Sequence, residues 1–235
     1  TKPDIIFHLA AQPLVRKSYR EPVNTWSTNV LGTINLLSAA NLLENKCVTI
    51  FITTDKVYKN REWEYGYREE DPLGGYDPYS GSKAASEIAI SSWRSSYCGS
   101  SKHQKENILI ASARAGNVIG GGDWSKDRIV PDIVNSLSKN KPISIRNPNS
   151  TRPWQHVLEP LSGYLCLAKA LYDYPNMGVF DSSFNFGPNL ESNRKVLDLA
   201  NFSLNFWEGQ IKIEKKSDIH EAGLLNLNID KAYHK

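Results

Sequence analysis

Short apolar runs alternate along the first half of the chain with longer segments in which apolar residues recur every three or four positions. The runs predict strands at residues 4–9, 48–53 and 108–115, and the periodic segments predict helices at about 24–42 and 79–97. Strands separated by helices of this length are typical of parallel βαβ units. We therefore expect an α/β fold with a doubly wound parallel sheet and helices on both of its faces.

The pattern is less regular after about residue 116. Helices are predicted near 130–137, 160–172 and 196–207, with short strands at 143–145 and 184–186. We interpret residues 1–116 as one domain and residues 117–235 mainly as a smaller lobe beside the sheet. Residues 153–187 are expected to return in part to the sheet.

Composition argues against a nucleic-acid-binding, a membrane-spanning and a metal-binding protein. The chain carries 28 basic and 25 acidic side chains, and a net charge of +3 does not indicate a nucleic-acid partner. No apolar run approaches the roughly 18 residues that a membrane span needs. Cys47, Cys98 and Cys166 form no C-x-x-C pair, which predicts buried, reduced thiols in a cytoplasmic protein. The five histidines lack metal-ligand spacing, so we expect no metal site.

Tyr79 and Lys83 lie four residues apart, and therefore one turn apart on the same face of the predicted helix. A phenol acts as a base near neutrality only when a nearby cation stabilises its phenolate, which a lysine at this spacing can do. The alternative is a chance surface pair in a chain with 11 tyrosines.

A hydroxyl, a carboxylic acid and an amine follow one another in Thr54, Asp55 and Lys56, directly after the second predicted strand. Ligands of open α/β sheets bind beyond the carboxyl ends of the strands, so these groups are placed for chemistry. The alternative is that Thr54 and Asp55 only cap the turn.

Five segments are similar, in their order and spacing, to the extended short-chain dehydrogenase/reductase superfamily of NAD-dependent epimerases and dehydratases. They are HLAAQPLVRKSY (8–19), TTDKVY (53–58), YSGSK (79–83), ARAGNVIGGGDWSKDRIVPD (113–132) and RPWQHVLEPLSGYL (152–165). The resemblance covers nearly the whole chain and is greatest to nucleotide-sugar 4,6-dehydratases that act on CDP-glucose. It implies a Rossmann-type fold, with 1–116 as the C-terminal portion of the NAD-binding domain and the lobe as the nucleotide-sugar site.

The activity that the resemblance implies is that of a hydro-lyase. CDP-D-glucose becomes CDP-4-dehydro-6-deoxy-D-glucose and water, with hydride passing from C4 to NAD and back to C6. Tyr79, supported by Lys83, takes the proton of the 4-hydroxyl, and Thr54 hydrogen-bonds the same oxygen. Asp55 is implied as the acid at the leaving 6-hydroxyl and Lys56 as the base at C5. These roles require a raised pKa for Asp55 and a lowered pKa for Lys56, as burial produces.

Lys56 discriminates between members of the superfamily. Dehydratases of dTDP-glucose and GDP-mannose carry glutamate at the corresponding place, and 4-epimerases lack the acid–base pair. Two alternatives stay open: a dehydratase for another nucleotide sugar, such as dTDP-glucose or GDP-mannose, and a catalytically silent nucleotide-sugar-binding module. The intact set of Thr54, Asp55, Lys56, Tyr79 and Lys83 favours an enzyme.

Binding residues are carried over by the same resemblance. The implied NAD site contains Leu9, Ala10, Ala11, Gln12, Thr53, Tyr79, Lys83 and Arg114. The implied substrate site contains Asn117, Arg128, Arg146, Arg152 and His156. Arginine presents paired donors that match phosphate oxygens. The alternatives are helix–sheet packing for the alanines, solvated surface charge for each arginine, and a structural role for His156.

Two further expectations come from the superfamily. The helices at 24–43 and 79–97 correspond to those that pair between subunits, which implies a homodimer or a dimer of dimers, in sugar biosynthesis for surface polysaccharide such as lipopolysaccharide. The Gly-rich turn that normally opens a dinucleotide-binding sheet is absent from the sequence. We therefore expect the N-terminal part of the Rossmann sheet, about 70 residues, to be missing, and these 235 residues alone to bind NAD poorly.

Overall fold

The computed structural model describes residues 1–99, 104–175, 177–214 and 222–235. The strands are β1 (Ile5–His8), β2 (Cys47–Ile52), β3 (Ile108–Ala115), β4 (Val118–Ile119), β5 (Ile143–Ile145), β6 (Thr151–Arg152), β7 (Gln155–His156), β8 (Ser183–Phe186), β9 (Arg194–Lys195) and β10 (Ile211–Ile213). The α-helices are α1 (Val15–Arg20), α2 (Pro22–Trp26), α3 (Gly32–Ala40), α4 (Pro78–Tyr97), α5 (Ile129–Leu137), α6 (Leu158–Asp173), α7 (Val196–Ser203) and α8 (Asp230–His234).

A parallel sheet with the strand order β1-β2-β3-β8 forms the centre of the fold. Its register places Ile5 beside Val48, Thr49 beside Ile110, and Arg114 beside Asn185. The three strands predicted in the first half of the chain, and the one predicted at 184–186, all lie in this sheet. The expected parallel α/β fold is confirmed.

Helices cover both faces of the sheet because alternate side chains of each strand point in opposite directions. One set of strand side chains packs against α6 in a core of Val48, Ile50, Leu109, Ala111, Ala113, Ala115, Tyr164, Leu167, Ala168, Leu171 and Phe184. The other set packs against α3 and α4 in a core of Leu37, Cys47, Phe51, Ile90, Ile108 and Ile110.

The helix predicted at 24–42 runs from Pro22 to Ala40 and contains a π-helical turn at Ser27–Leu31. A π turn lengthens the backbone loop and leaves a carbonyl open to other donors. The carbonyl of Asn29 accepts hydrogen bonds from Thr33 Oγ1 at 2.7 Å and from Ser86 Oγ at 2.9 Å. Side-chain hydroxyls therefore stabilise the break, and Ser86 ties it to α4.

The sequence missed α1 and placed the end of one later helix too far along the chain. The helix predicted at 196–207 ends at Ser203, because the next amides bond to carbonyls three residues back, as Leu204 N does to Asn201 O at 3.2 Å. The two-residue strands were not predicted either. The polar, aromatic and Gly- and Pro-containing segment 59–78 predicts a long loop, and residues 59–77 contain no helix or strand, while Pro78 begins α4.

The second half of the chain builds a separate small core. Its buried residues are Ile133, Leu137, Ile143, Ile145 and Ala200, and β5 pairs in parallel with β10 beside them. Within the predicted returning segment, β8 pairs with β3. The domain boundaries themselves stay a prediction.

Two expectations from composition meet different outcomes. In the described residues, no helix combines the length and the apolar character that crossing a membrane requires. The three cysteines form no disulfide, but only Cys47 is buried, whereas Cys98 is half-buried and Cys166 is exposed. The expectation of buried thiols is wrong for Cys166, because its position on α6 faces away from the sheet.

Candidate active site

A cleft of about 650 Å³ lies beyond the carboxyl ends of β2 and β3. The structure brings into its lining Thr53, Thr54, Asp55, Lys56, Tyr79, Asn117, Arg128, Arg146 and Arg152. These residues come from the strand ends, from α4 and from the small lobe. The strand-end rule therefore locates the cleft where the sequence indicated it.

Thr54 connects the acid and the phenol of the cleft. Its hydroxyl donates to Asp55 Oδ1 at 2.9 Å, and a hydrogen bond also joins it to the phenol of Tyr79. Thr54 Oγ1 also accepts from Lys56 N at 3.4 Å, where it caps the 3₁₀ turn at Asp55–Val57. The capping alternative is therefore present, and the chemical role of Thr54 stays a prediction.

Asp55 is placed to hold a proton. Its side chain is 3% exposed, and burial raises its pKa, while Lys56 and the hydrogen bond from Thr54 act in the opposite direction. Oδ2 has no hydrogen-bond partner among the described residues. This oxygen lies beside Gly116, since a Cβ on that residue would be 3.5 Å from Oδ2. The raised pKa expected for Asp55 is confirmed in direction.

Tyr79 and Lys83 have pKa values set mainly by burial. Burial raises the pKa of Tyr79 to about 12, although its bond with Thr54 lowers it. Burial lowers the pKa of Lys83 to about 8, opposed by the charge of Glu87, and its ammonium donates to Ile52 O at 3.1 Å. The pair lies on one helix face, but in the protein alone desolvation outweighs the stabilisation of the phenolate that the spacing suggested.

The N-terminus of α4 fixes the position of Tyr79. Asp77 caps the helix by accepting from Ser80 N at 3.0 Å and from Ser80 Oγ at 2.7 Å, and Pro78 occupies the first turn. The backbone amide of Tyr79 donates to Ser18 Oγ at 3.1 Å. The phenol is therefore anchored to α1 as well as to its own helix.

Of the residues carried over for NAD, some line the cleft and others lie outside its lining. Thr53 and Tyr79 line the cleft, and Leu9 and Ala10 are exposed just beyond β1. Ala11 is half-buried, and Lys83 lies behind Tyr79 on α4.

Gln12 and Arg114 are not in the cleft lining. The Gln12 side chain donates to Thr25 Oγ1 at 2.9 Å, inside the helix layer. Arg114 lies with Ser112 on the side of β3 that faces α4, and it forms a buried ion pair of 2.8 Å with Glu87 of that helix. Strand alternation directs its side chain under α4, away from the strand end. A direct contact of either side chain with a cofactor stays a prediction.

The residues carried over for the substrate are mostly together. Asn117, Arg128, Arg146 and Arg152 line the cleft. His156 is exposed outside it, and its Nδ1 accepts from the backbone amide of Leu158 at 3.3 Å, which matches the structural alternative.

The cleft lining also contains residues that the sequence reasoning missed, among them one arginine and one aspartate. Arg16 and Asp127 both line the cleft, on α1 and in the loop before α5. Each lies inside a segment that carried the resemblance, but neither had a spacing that marked it. In the part of the chain that the structure describes, no group of three His, Cys, Asp or Glu side chains could hold a metal. His103 and His220 lie outside the described residues.

Comparison with known proteins places the chain among nucleotide-sugar enzymes. A family model described as GDP-mannose 4,6 dehydratase matches residues 1–178. CDP-glucose 4,6-dehydratase of Salmonella typhimurium is 47% identical over 233 residues, which are 98% of this chain and 64% of that protein. dTDP-D-glucose 4,6-dehydratase of Dictyostelium discoideum is 26% identical, over 87% of this chain and 45% of that protein. The chain thus spans less than two thirds of the length of these relatives.

Solved structures share the fold. UDP-glucuronic acid 4-epimerase from Bacillus cereus, in complex with UDP-glucuronic acid and NAD, superposes with a TM-score of 0.82 at 20% identity, over 98% of this chain and 68% of that one. A double mutant of dTDP-glucose 4,6-dehydratase from Streptomyces venezuelae, with NAD bound, gives 0.81 at 21% identity, over 99% and 66%. At these identities the likeness bears on the fold alone.

Proposed function

Because the chain belongs to the GDP-mannose 4,6 dehydratase family, we propose that it catalyses the dehydration of CDP-D-glucose to CDP-4-dehydro-6-deoxy-D-glucose and water. The observation that carries the proposal is the meeting of Asp55, Lys56 and Tyr79 in one cleft, with the carboxyl buried and its pKa raised. An acid that holds its proton beside an amine is what an elimination needs. The 47% identity to a CDP-glucose dehydratase supports the choice of sugar nucleotide.

The residues at the end of β1 fit a dinucleotide cofactor. Leu9 and Ala10 are exposed there, and the small side chain of Ala10 leaves the backbone accessible to a flat ring. We propose that they hold the nicotinamide half of NAD together with Ala11, Thr53, Tyr79 and Lys83. When bound, NAD supplies a hydride acceptor at C4 of the sugar and a hydride donor at C6.

Tyr79 is the proposed base for the 4-hydroxyl. Its phenol has to lose a proton first, which requires a cation nearby because burial raises its pKa to about 12. Lys83, with a pKa of about 8, still carries its charge at neutral pH and lies one turn away. Thr54, bonded to the phenol, orients the same sugar oxygen.

Asp55 and Lys56 are the proposed pair for the elimination. A ketone at C4 acidifies the C5 hydrogen, which the Lys56 amine then removes. The Asp55 carboxyl donates its proton to the C6 oxygen, which leaves as water. The Asp55 Oδ2 atom has no hydrogen-bond partner among the described residues, which supports this direction of proton transfer.

The small lobe is the proposed holder of the nucleotide diphosphate. Arg128, Arg146 and Arg152 reach the cleft from three different segments, and Asn117 lies at the end of β3. Guanidinium groups bind phosphate oxygens through paired donors. His156 is a weaker candidate because it lies outside the cleft.

A homodimer is proposed from an apolar face on α2 and α4. Trp26 and Ile88 are exposed large apolar side chains, and the Trp26 ring lies over Gly81, where a Cβ would come within 3.3 Å of it. Ile88 follows Gly81 by seven residues and therefore lies two turns along the same face of α4. Exposed apolar faces of this kind mark protein–protein contacts, and a dimer of dimers is the larger alternative.

We place the reaction in the cytoplasm, in the synthesis of deoxysugars for surface polysaccharide such as lipopolysaccharide. Sugar nucleotides are the activated donors for such polymers, and the reduced cysteines are compatible with this compartment.

The test is to incubate the full-length protein with NAD and, in four separate reactions, with CDP-glucose, dTDP-glucose, UDP-glucose or GDP-mannose. Formation of a 4-keto-6-deoxy product from CDP-glucose, well above the other three, is expected. Turnover of another nucleotide sugar would show that the substrate carries a nucleotide other than CDP. Binding without any product would support the silent binding module instead.

A further inference from the structure

One carboxylate lies between two arginines in the cleft. Asp127 Oδ1 accepts a hydrogen bond from Arg146 Nη1 at 2.7 Å and lies 3.8 Å from Arg16 Nε. Arg16 belongs to α1, which packs against α4 beside the sheet, and Arg146 follows β5 in the small lobe. All three side chains are partly exposed, so they face the space that a ligand enters.

We propose that Arg16 is a further phosphate-binding residue, which binds the diphosphate of the nucleotide sugar together with Arg146. Without substrate, the Asp127 carboxylate occupies the position of the phosphate. This inference rests on the proposed function and deepens it. It adds to the site a residue from the wall opposite the small lobe.

The convergence on a single oxygen is the main support. Two guanidinium groups repel each other, and they approach the same point only where an anion compensates their charges. A carboxylate oxygen and a phosphate oxygen have the same sign of charge and accept the same donors. The position of Asp127 Oδ1 therefore marks where a phosphate oxygen would meet both arginines.

The backbone around Asp127 allows the carboxylate to leave. Asp127 has a φ of 64°, a left-handed conformation that costs a residue with a Cβ free energy. Upstream in the same loop, Gly121 and Gly122 are surrounded by open space, since a Cβ on either would have no atom within 4 Å. Gly122 has a φ of 87°. A strained residue in an open glycine loop is displaced more readily than one in a helix or strand.

Calorimetric titration of CDP into the 235-residue chain tests the inference. Arg16→Ala is expected to weaken CDP binding about tenfold or more, as loss of a charge-assisted contact does. Asp127→Asn keeps the shape but removes the charge that competes with phosphate, so it is expected to bind CDP at least as tightly as the wild type. Arg20→Ala is the matched control, because it removes an exposed arginine from the same helix outside the cleft.

The outcomes separate this inference from the proposed function. Tight CDP binding by the wild type with unchanged binding by Arg16→Ala would overturn the role of Arg16 and leave the function standing. Binding by Asp127→Asn that is weakened as much as by Arg16→Ala would show that Asp127 organises the site, against the proposal. No binding of CDP, GDP, UDP or dTDP by the wild type would refute the nucleotide site and the inference with it. Should Arg16→Ala fail to fold, Arg16→Gln replaces it under the same criteria.

Discussion

Burial determines the chemistry of the single residues in the cleft. The same desolvation raises the pKa of Asp55, raises that of Tyr79 to about 12 and lowers that of Lys83 to about 8. Each shift favours the neutral form. For Asp55 this is the form that the proposed acid needs, whereas the proposed base Tyr79 needs its ionised form. Asp55 and Tyr79, which are both linked to Thr54, thus require different surroundings for their proposed roles.

Lys56→Ala is expected to abolish formation of the 4-keto-6-deoxy product while CDP affinity stays within about twofold of the wild type. Without an amine at C5 the first oxidation proceeds but elimination does not, so NADH accumulates with the protein and its absorbance reports the block. Lys59→Ala is the control, because Lys59 is an exposed lysine three residues further on that does not line the main cleft. Normal turnover by Lys56→Ala would remove Lys56 from the mechanism.

Lys83→Met is expected to be more stable than the wild type near neutral pH. The unfolded lysine binds its proton up to about pH 10.5, whereas the folded one releases it from about pH 8. Between these values the unfolded state binds more protons, so wild-type stability rises with pH. The advantage of the variant, at most about 3 kcal/mol, should therefore shrink across this window.

Urea unfolding at several pH values measures this difference. Lys139→Met removes an exposed ammonium and serves as the matched control. A stability difference between Lys83→Met and wild type that does not change from pH 8 to 10.5 would contradict the assigned burial of the amine.

At the scale of elements, α4 carries the site. Its cap fixes Tyr79, and four residues beyond Lys83 its Glu87 carboxylate is held by Arg114 of β3. Glu87 also accepts from Thr53 Oγ1 at 2.6 Å, at the end of β2. The helix is therefore locked to the two strands whose ends form the cleft. Breaking such a buried pair on one side leaves an uncompensated charge, which is strongly destabilising.

Asp77→Ala is expected to lower the free energy of unfolding by about 1 kcal/mol, since it removes the N-cap of α4. Chemical denaturation checks the value. Asp77→Asn retains an acceptor for Ser80 N and should recover most of the loss. Equal destabilisation by both variants would show that the charge of Asp77, and not its capping bond, is what stabilises the helix.

At the scale of the whole molecule, large apolar side chains are exposed on two different surfaces. Ile88 on α4 is 60% exposed next to the Trp26 region, and Ile213 on β10 in the small lobe is 58% exposed. Only the first belongs to the apolar face of α2 and α4 proposed to pair between subunits. The similar exposure of the two isoleucines makes them a matched pair for experiment.

Ile88→Glu is expected to convert a dimer into a monomer, because two carboxylates would be buried against an apolar partner surface. Light scattering coupled to gel filtration gives the mass. Ile213→Glu should leave the dimer intact. A monomeric wild type, or a dimer that survives Ile88→Glu, would show that this face is not the subunit contact.

The sequence by itself determined the parallel α/β architecture, the main strands and helices, and the strand-end cluster of Thr54, Asp55 and Lys56. These follow from local periodicity and from the rule that ligands bind at the carboxyl ends of strands. Only the tertiary structure decided which side each side chain faces and what it meets there. Arg114 pairs with Glu87 under α4, and Asp127 joins Arg16 to Arg146. Such contacts join residues far apart in the chain, and their distances and burial arise from packing, which no local pattern encodes.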